Sequence, residues 1–336
     1  MTVSYTYNRP QRVSPDTRSK VLETAAALGY AGPDPSARSL RYGATQTLGV
    51  VLGEHLTYAF DDPQAVLFLA GVAEVCAERG YGLLIVPTAT GDDDHNRVKA
   101  AAVDAYVVWT TTDDDPVLAA AFSTRRPVVI HGGPARAGAT LVGIDNRAAA
   151  HAVGLEVFAN AERPAVLSFP VDRRRETFVR RGVDPGSIAY PVTRDRLAGY
   201  RDAALELGID WSQVPVAVSR TSYEADARAA MGELFAFAPD LDAVAAMSDL
   251  LALAAQREAA QREAAQREAA QREESGKAQP RISGWDDSEA AREHGITTVA
   301  QSMREQGAAC ATAALGDAAP DHRDAWRVIR RASTGG

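Results

Sequence analysis

Two series of short apolar runs, each alternating with helical stretches, place the strongest constraint on the fold of this chain. The first series is TLGVVL (47–52), YGLLIVPT (81–88), AYVVWTT (105–111), PVVIHGG (127–133) and LVGID (141–145). The second series is PAVLSF (164–169), VPVAVS (214–219), AVAAMS (243–248) and RISGW (281–285). Such runs are typical of parallel strands that helices cover on both faces. The pattern predicts an α/β chain with two doubly wound parallel-sheet lobes of similar size.

Residues 1–46 lack this pattern and differ in charge. Six Lys and Arg residues against three acidic residues give this segment a charge of +3, in a chain whose net charge is -8. SPDTRSKVLETAAALGY (14–30) predicts a helix that Ser14 caps and Gly29 ends. A basic helical head on an acidic body is a pattern typical of nucleic-acid binding, although the overall charge taken alone argues against it.

Several classes of protein are disfavoured by what the sequence lacks. No apolar run approaches the roughly 20 residues of a membrane-spanning helix, and no secretory signal peptide is recognisable, so we expect a cytoplasmic protein without a membrane partner. Cys76 and Cys310 lie in alanine-rich segments without metal-ligand spacing. There is no P-loop, no G-x-G-x-x-G and no G-x-S-x-G motif. The sequence therefore predicts no catalytic residues, no metal and no cofactor.

An ordered series of motifs resembles the LacI family of bacterial transcription regulators. TVSYTYN (2–8) is similar to the recognition helix of the family's helix-turn-helix, RVSPDTRSKVLETAAALGY (12–30) to its third helix and ARSL (37–40) to its hinge helix. Behind them TLGVVL, VGIDN, RLAGY, AMSD, GWDD and TTV follow in the family's order. The resemblance covers the whole chain apart from one repeat. It implies an effector-responsive repressor with a periplasmic-binding-protein-like type I core, which acts as a homodimer on operator DNA.

The same resemblance nominates residues for DNA binding. In the family the recognition helix enters the major groove, and the hinge helix inserts an apolar wedge into the minor groove. By that likeness Tyr5 would reach base edges, and Leu40 would be the wedge. The remaining nominated contacts are Thr2, Ser4 and Asn8 to phosphates, and Ala37 and Arg38 beside the wedge.

One departure from the family concerns the head. The family's first helix, written T-x-x-D-V-A-x-x-A-G-V-S, would precede Thr2. Without it Val3 and Tyr7 would lose their packing partner, and an isolated helix of under about 12 residues is not stable in water. We therefore expect the printed chain to bind DNA weakly or not at all. A start codon assigned too far downstream is the favoured explanation, and a true truncation that leaves a ligand sensor without DNA binding is the alternative. A solute-binding protein with the same core fold is a further alternative, disfavoured by the hinge motif.

The effector site is expected between the lobes, at the carboxyl ends of the strands. The resemblance nominates Arg196, whose planar fork of donors suits sugar hydroxyls, and the carboxylates Asp145 and Asp286 as acceptors. Ser248 and the apolar face of Trp285 complete this set, and Phe60 and Asp62 lie in a loop expected to line the pocket. A sugar or related polyol is the effector that the resemblance implies.

The expected domain organisation follows from these assignments. Residues 1–32 form a partial helix-turn-helix head and residues 33–46 a hinge helix and linker. Residues 47–160 with 299–318 form the N-terminal lobe, and residues 161–298 with 319–332 the C-terminal lobe. QREAAQREAAQREAAQRE (256–273) repeats a five-residue unit of strong helix formers. It predicts a helical extension over 256–274 that protrudes into solvent at its end, since a five-residue step of about 140° forms no continuous apolar stripe.

Overall fold

The computed structural model describes residues 2–32, 43–53, 56–88, 93–270, 279–316 and 321–335. The predicted hinge residues Ala37, Arg38 and Leu40 lie outside these ranges. The helices are α1 (Thr2–Asn8), α2 (Pro15–Ala27), α3 (Tyr58–Asp61), α4 (Pro63–Arg79), α5 (Asp94–Ala100), α6 (Pro116–Ser123), α7 (Asn146–Phe158), α8 (Pro191–Glu206), α9 (Glu224–Phe237), α10 (Asp249–Ala270), α11 (Glu289–Glu293) and α12 (Met303–Ala314). The strands are β1 (Thr47–Leu52), β2 (Gly82–Pro87), β3 (Ala105–Trp109), β4 (Val128–His131), β5 (Ala139–Gly143), β6 (Pro164–Ser168), β7 (Phe178–Arg181), β8 (Pro215–Val218), β9 (Ala243–Ala246), β10 (Arg281–Ser283), β11 (Thr298–Ala300), β12 (His322–Arg323) and β13 (Arg327–Ile329).

The first apolar series forms one parallel sheet in the order β12-β5-β4-β3-β1-β2. The strand order reverses at β1, because β2 lies on one side of it and β3 on the other. In open α/β sheets ligands bind where neighbouring connections leave to opposite faces, at the carboxyl ends of the strands. The end of β1 is therefore the expected floor of a binding crevice.

The second apolar series forms a sheet in the order β10-β9-β6-β8-β7. All its strands are parallel except β7, which pairs antiparallel with β8 at the edge. The sequence pattern did not predict β7, since its segment FVRR is half-exposed and ends in two arginines. The two-lobed α/β prediction is confirmed, with this antiparallel edge strand as an addition.

The C-terminal segment differs in one respect from the predicted domain organisation. The prediction places residues 319–332 in the C-terminal lobe, but His322 and Arg323 pair with β5 at the edge of the first sheet. Only the following strand, β13, joins β11 in a separate antiparallel pair. Two residues of backbone pairing on the open edge beside β5 account for the difference.

Pairs of small residues bring helices into close contact on each lobe. A Cβ on Gly307 of α12 would lie 2.1 Å from Phe68 O, and a Cβ on Gly71 of α4 would lie 1.9 Å from Arg304 O. On the second sheet a Cβ on Gly199 of α8 would lie 2.3 Å from Arg147 O in α7. These close approaches fix α12 and α8 against their neighbours, and both helices carry cleft residues.

The N-terminal head consists of α1, a short turn and α2. The Ser14 hydroxyl caps α2 by accepting from Thr17 N at 3.4 Å, as predicted, and Gly29 follows the helix with φ +66°. Tyr7 packs edge-on against Tyr30 at 6.0 Å between ring centroids. Val3 of α1, Leu22 of α2 and Leu28 directly after α2 are exposed, Leu28 by 78%. The head therefore buries little of its apolar surface against itself.

The described part of the repeat begins packed against α9 and becomes exposed toward Ala270, while residues 271–274 of the predicted extension lie outside the described residues. Ala259 is buried, Arg262 lies 4.9 Å from the centroid of the Phe235 ring, and Glu258 pairs with Arg228 of α9. Glu263 pairs within the helix with Arg267. Among the described residues no helix combines the length and apolar character needed to cross a bilayer.

Candidate effector-binding site

A cavity lies between the two sheets at the carboxyl ends of their strands. The first sheet contributes residues that end or follow its strands, namely Leu52, Trp109, His131 and Gly143. The second sheet contributes Phe169, Thr221, Ser248 and Asp286, which follow β6, β8, β9 and β10. The segment that crosses between the lobes adds Gln301 and Met303. Both lobes therefore form the cavity, in the position predicted for an effector.

Arg196 of α8 is the buried cation of this cavity, with 6% of its surface exposed. Its Nε donates to Asn146 Oδ1 at 2.9 Å, and one Nη donates to the Met247 carbonyl. Burial lowers the pKa of Arg196 to about 10, and the charge of Asp286 opposes this shift. The guanidinium is therefore still a cation at neutral pH, held in one orientation.

Two aromatic rings support the guanidinium of Arg196. Its central carbon lies 3.8 Å from the centroid of the Trp285 ring and 5.6 Å from that of Phe169. Trp285 is completely buried and does not line the cavity. The apolar face that the sequence assigned to the effector is instead occupied by Arg196. This indole therefore supports the cation and lies outside the cavity lining.

Asp286 is held at the cavity wall in a conformation that is unusual for a residue with a side chain. Its φ is +106°, while its N–H donates to Val299 O at 2.7 Å and its Oδ1 accepts from Gln301 Nε2 at 2.7 Å. Backbone strain of this kind persists where surrounding contacts impose it, as at many functional sites. Burial raises the pKa of Asp286 well above its usual range, Asp249 adds to the shift, and the charge of Arg196 opposes it.

Two further carboxylates at the cavity are occupied by structural hydrogen bonds. Asp62 accepts from the Gln64 and Ala65 amides at 2.9 and 3.0 Å and so caps α4. Asp249 accepts from Ser288 N and Thr298 Oγ1, both at 2.7 Å. Burial raises the pKa of both carboxyls. Each of these two carboxylates therefore accepts from at least one backbone amide, and Asp62 caps a helix.

The structure brings four of the seven predicted effector residues to the cavity: Arg196, Asp286, Ser248 and Asp62. Ser248 is buried, and its hydroxyl accepts from Leu251 N at 3.2 Å. Asp145 does not line the cavity, because its carboxylate caps α7 through Ala148 N at 3.0 Å and pairs with Arg323. Phe60 is 66% exposed and also lies outside the lining.

Several lining residues were missed by sequence reasoning. Asn146 directly follows Asp145 in VGIDN and takes the place in the site that was predicted for its neighbour. Trp109 and His131 end predicted strands, so the rule that ligands bind at carboxyl ends could have found them. Other missed residues include the rings of Tyr58, Phe169, Tyr190 and Tyr223, the charged Arg175 and Asp249, and the amides Gln301 and Gln306. No local motif marks Gln306, which reaches the cavity from the first turn of α12.

Thr2, Ser4, Tyr5 and Asn8, which are predicted to contact DNA, lie on α1 at the start of the chain. Thr2 is exposed, while Ser4 and Tyr5 are half-buried. Asn8 is the last residue of the helix. The contacts predicted for these four residues stay a prediction.

Comparisons with known proteins agree on the family. The model for periplasmic binding proteins and the sugar binding domain of the LacI family matches residues 45–313. Over 311 residues the chain is 34% identical to the HTH-type transcriptional regulator Rv3575c of Mycobacterium tuberculosis, spanning 91% of this chain and 84% of that protein.

Two solved structures of transcriptional regulators are also similar to this chain. A LacI-family transcriptional regulator from Corynebacterium glutamicum superposes with a TM-score of 0.75 at 27% identity, covering 99% of this chain and 94% of that one. The transcriptional regulator CelR in complex with cellobiose gives a TM-score of 0.68 at 25% identity, covering 98% and 94%. The chain belongs to the LacI family of transcription regulators.

Proposed function

We propose that this regulator binds a neutral carbohydrate in the cleft between its lobes and changes its affinity for operator DNA in response. The observation that carries the proposal is the buried guanidinium of Arg196, fixed by Asn146 and two aromatic rings at the wall of the cavity. A planar fork of donors in one fixed orientation matches the vicinal hydroxyls of a sugar. That CelR forms a cellobiose complex supports the same ligand class.

The charges at the cavity favour a neutral ligand. Arg196 and Asp286 influence one another electrostatically, and Arg175, which donates to the Gly53 carbonyl, also lines the cavity, so cationic and acidic groups face the same space. Sugar hydroxyls donate and accept, and they can therefore satisfy both groups without adding charge. Asp62 and Asp249, which already accept structural hydrogen bonds, are further acidic groups at the cavity that disfavour an anionic ligand.

Titration calorimetry against cellobiose, maltose, glucose, ribose and the anion glucose 6-phosphate tests this assignment. We expect at least one neutral sugar to bind and the phosphorylated sugar to bind more weakly. Arg196→Lys, which loses the planar fork, should weaken the affinity for that sugar by about tenfold or more. Arg194→Lys on the same helix is the matched control, since Arg194 pairs with its neighbour Asp195 at 3.3 Å. Equal affinities for the two variants would contradict the assignment.

We further propose that the head contacts operator DNA through Thr2, Ser4, Tyr5 and Asn8 and that the core forms a homodimer, as a pseudo-palindromic operator requires. Size-exclusion chromatography with light scattering measures the dimer. DNA binding is measured on the printed chain and on a version extended upstream to the preceding in-frame start, at several salt concentrations. Binding that weakens steeply as salt rises is the expected result. Failure of both versions on every fragment from the chain's own locus would leave a ligand sensor.

A further inference from the structure

Four polar side chains join the two walls of the cleft in one line of hydrogen bonds. Gln301 Nε2 donates to Asp286 Oδ1 at 2.7 Å, and Gln306 Nε2 donates to Gln301 Oε1 at 3.2 Å. Gln306 Oε1 lies 2.8 Å from His131 Nε2. Asp286 follows a strand of the second sheet and His131 ends a strand of the first, while Gln301 lies on the crossing segment. The line therefore spans from one lobe to the other, and all four residues line the cavity.

The Asp286 oxygen that faces Gln301 accepts a hydrogen bond and sets the direction of every hydrogen bond in this line. Because Oδ1 accepts, Gln301 must present its NH₂ group to Asp286 and its oxygen to Gln306. Gln306 must then present its NH₂ group to Gln301 and its oxygen to His131. His131 must consequently carry its proton on Nε2. A single acceptor at one end thus determines the tautomer of a histidine at the other.

The surroundings of His131 suit a neutral ring with that tautomer. The imidazole lies between Phe68 and Trp109, with centroids 4.8 and 5.4 Å away. Burial lowers the pKa of His131 to about 4, although Gln306 and the charge of Asp324 favour the protonated ring. Its Nδ1 is buried and has no hydrogen-bond partner among the described residues. An unprotonated Nδ1 in this apolar setting costs less than a buried N–H donor without an acceptor.

We propose that Gln301, Gln306 and His131 are positioning residues that hold Asp286 in one orientation as an acceptor facing the cleft. The proposal rests on the proposed function in taking Asp286 as an effector contact. Gln306 is the link between the lobes, because it bonds to the crossing segment and to the first sheet at once. Without it the amide of Gln301 is free to rotate, and Asp286 loses the donor that is aimed at it.

The loss of that donor has a predictable sign for Asp286. Arg196 from α8 lowers the pKa of Asp286, whereas Asp249 from α10 and Asp62 at the start of α4 raise it. The hydrogen bond from Gln301 also lowers this pKa. Disordering that bond therefore moves the titration of Asp286 to higher pH, while the three charged groups are unchanged.

Nuclear magnetic resonance on the full ligand-free chain tests this line of hydrogen bonds without any effector. Nitrogen-15 labelling of histidine reports which ring nitrogen carries the proton, and carbon-13 labelling of aspartate reports carboxyl titration. The variants are Gln306→Met, which keeps the side-chain length and removes both hydrogen bonds, and Gln213→Met, an exposed control on the second lobe. His131→Asn and Asp286→Asn identify the two signals by their loss.

The expected wild-type spectrum shows His131 as the neutral Nε2–H tautomer from pH 5 to 8. In Gln306→Met we expect a mixture of tautomers and a titration of Asp286 at higher pH, with Gln213→Met like wild type. A wild-type His131 protonated on Nδ1 overturns the proposal even if Gln306→Met does not fold. A folded Gln306→Met with unchanged His131 and Asp286 signals also overturns it. Because no sugar is added, failure of the proposed function is measured separately, by the calorimetric panel.

Discussion

The two walls of the cleft are built from different chemistry. The wall from the second lobe, the charged wall, carries Arg196 and Asp286 beside the rings of Phe169, Tyr190 and Tyr223, and so provides charge and directed hydrogen bonds. The wall from the first lobe, the aromatic wall, carries Tyr58, Trp109 and the neutral imidazole of His131, while its carboxylate Asp62 is held in a helix cap. A sugar needs both, since its hydroxyls require polar partners and its ring faces stack on aromatic groups. Neither lobe alone forms the site, so binding is coupled to the arrangement of the lobes.

The largest effect should come from the charged wall. Arg196→Met removes the buried cation and leaves Asn146 Oδ1 and the Met247 carbonyl without their donor. Each buried acceptor left unpaired costs about 1 to 3 kcal/mol, so we expect a loss of about 2 to 6 kcal/mol of unfolding free energy. Urea denaturation measures it, with Arg194→Met as the control. A cost below about 1 kcal/mol would show that the charged wall does not depend on these hydrogen bonds.

The aromatic wall should respond to pH through His131. Its pKa is about 4 in the folded chain and 6.5 in the reference state, so the unfolded chain binds a proton that the folded chain does not. Above pH 6.5 this difference in proton binding has no effect on stability. As the pH falls from 6.5 toward 4, it lowers the free energy of unfolding, by about 3 kcal/mol in total. Unfolding free energies of wild type and His131→Asn are compared at pH 7 and 4.5. Equal losses in the two proteins would refute the assignment.

Helix packing behind the aromatic wall should show an effect of intermediate size. Gly307→Ala places a Cβ against the Phe68 carbonyl, and overpacking of this kind costs about 1 to 3 kcal/mol. Gly232→Ala in α9 is the matched control, because its nearest neighbour is the Glu258 carboxylate at 3.9 Å. That change should stabilise the chain by up to about 1 kcal/mol. Thermal unfolding measures the change in Tm. A change of the same sign in both variants would contradict this packing of α12 against α4.

The smallest effect is expected at Phe60, which neighbours the aromatic wall in sequence but not in space. Phe60→Ala should change sugar affinity by less than about twofold, because this side chain is 66% exposed and lies outside the cavity lining. Tyr58→Ala, on the same short helix, removes a lining ring and should weaken binding by about fivefold. Calorimetry with the sugar that binds wild type separates the two. A larger loss for Phe60→Ala would mean that α3 turns when ligand binds.

The contrast between the walls also explains how much of the molecule could be predicted from its sequence. The apolar runs predicted nearly all strands of both sheets, because a strand buried on two faces must be continuously apolar. Arg196 and Asp286 could be found because they lie in recognisable motifs on the second lobe. Gln306 could not, since His131, the partner that explains its place, lies 175 residues away.

Two errors share a physical cause. Asp145 and Trp285 were correctly placed near the site, but a cap on α7 occupies one and the guanidinium of Arg196 covers the other. A motif fixes where the backbone runs, whereas the direction of a side chain depends on packing that is distant in sequence. Phe60 shows the same limit, because the turn into α4 exposes it while Tyr58 faces the cavity.

The measurement that tests the central claim most directly is operator affinity with and without the sugar selected by calorimetry, in wild type and Arg196→Lys, using the form of the chain that binds DNA. We predict that saturating sugar changes the operator Kd of wild type by about 5- to 150-fold. Arg196→Lys should keep the sugar-free affinity and lose the response at the same sugar concentration. An unchanged response in Arg196→Lys, or no response in wild type, would contradict control of DNA binding through this cleft.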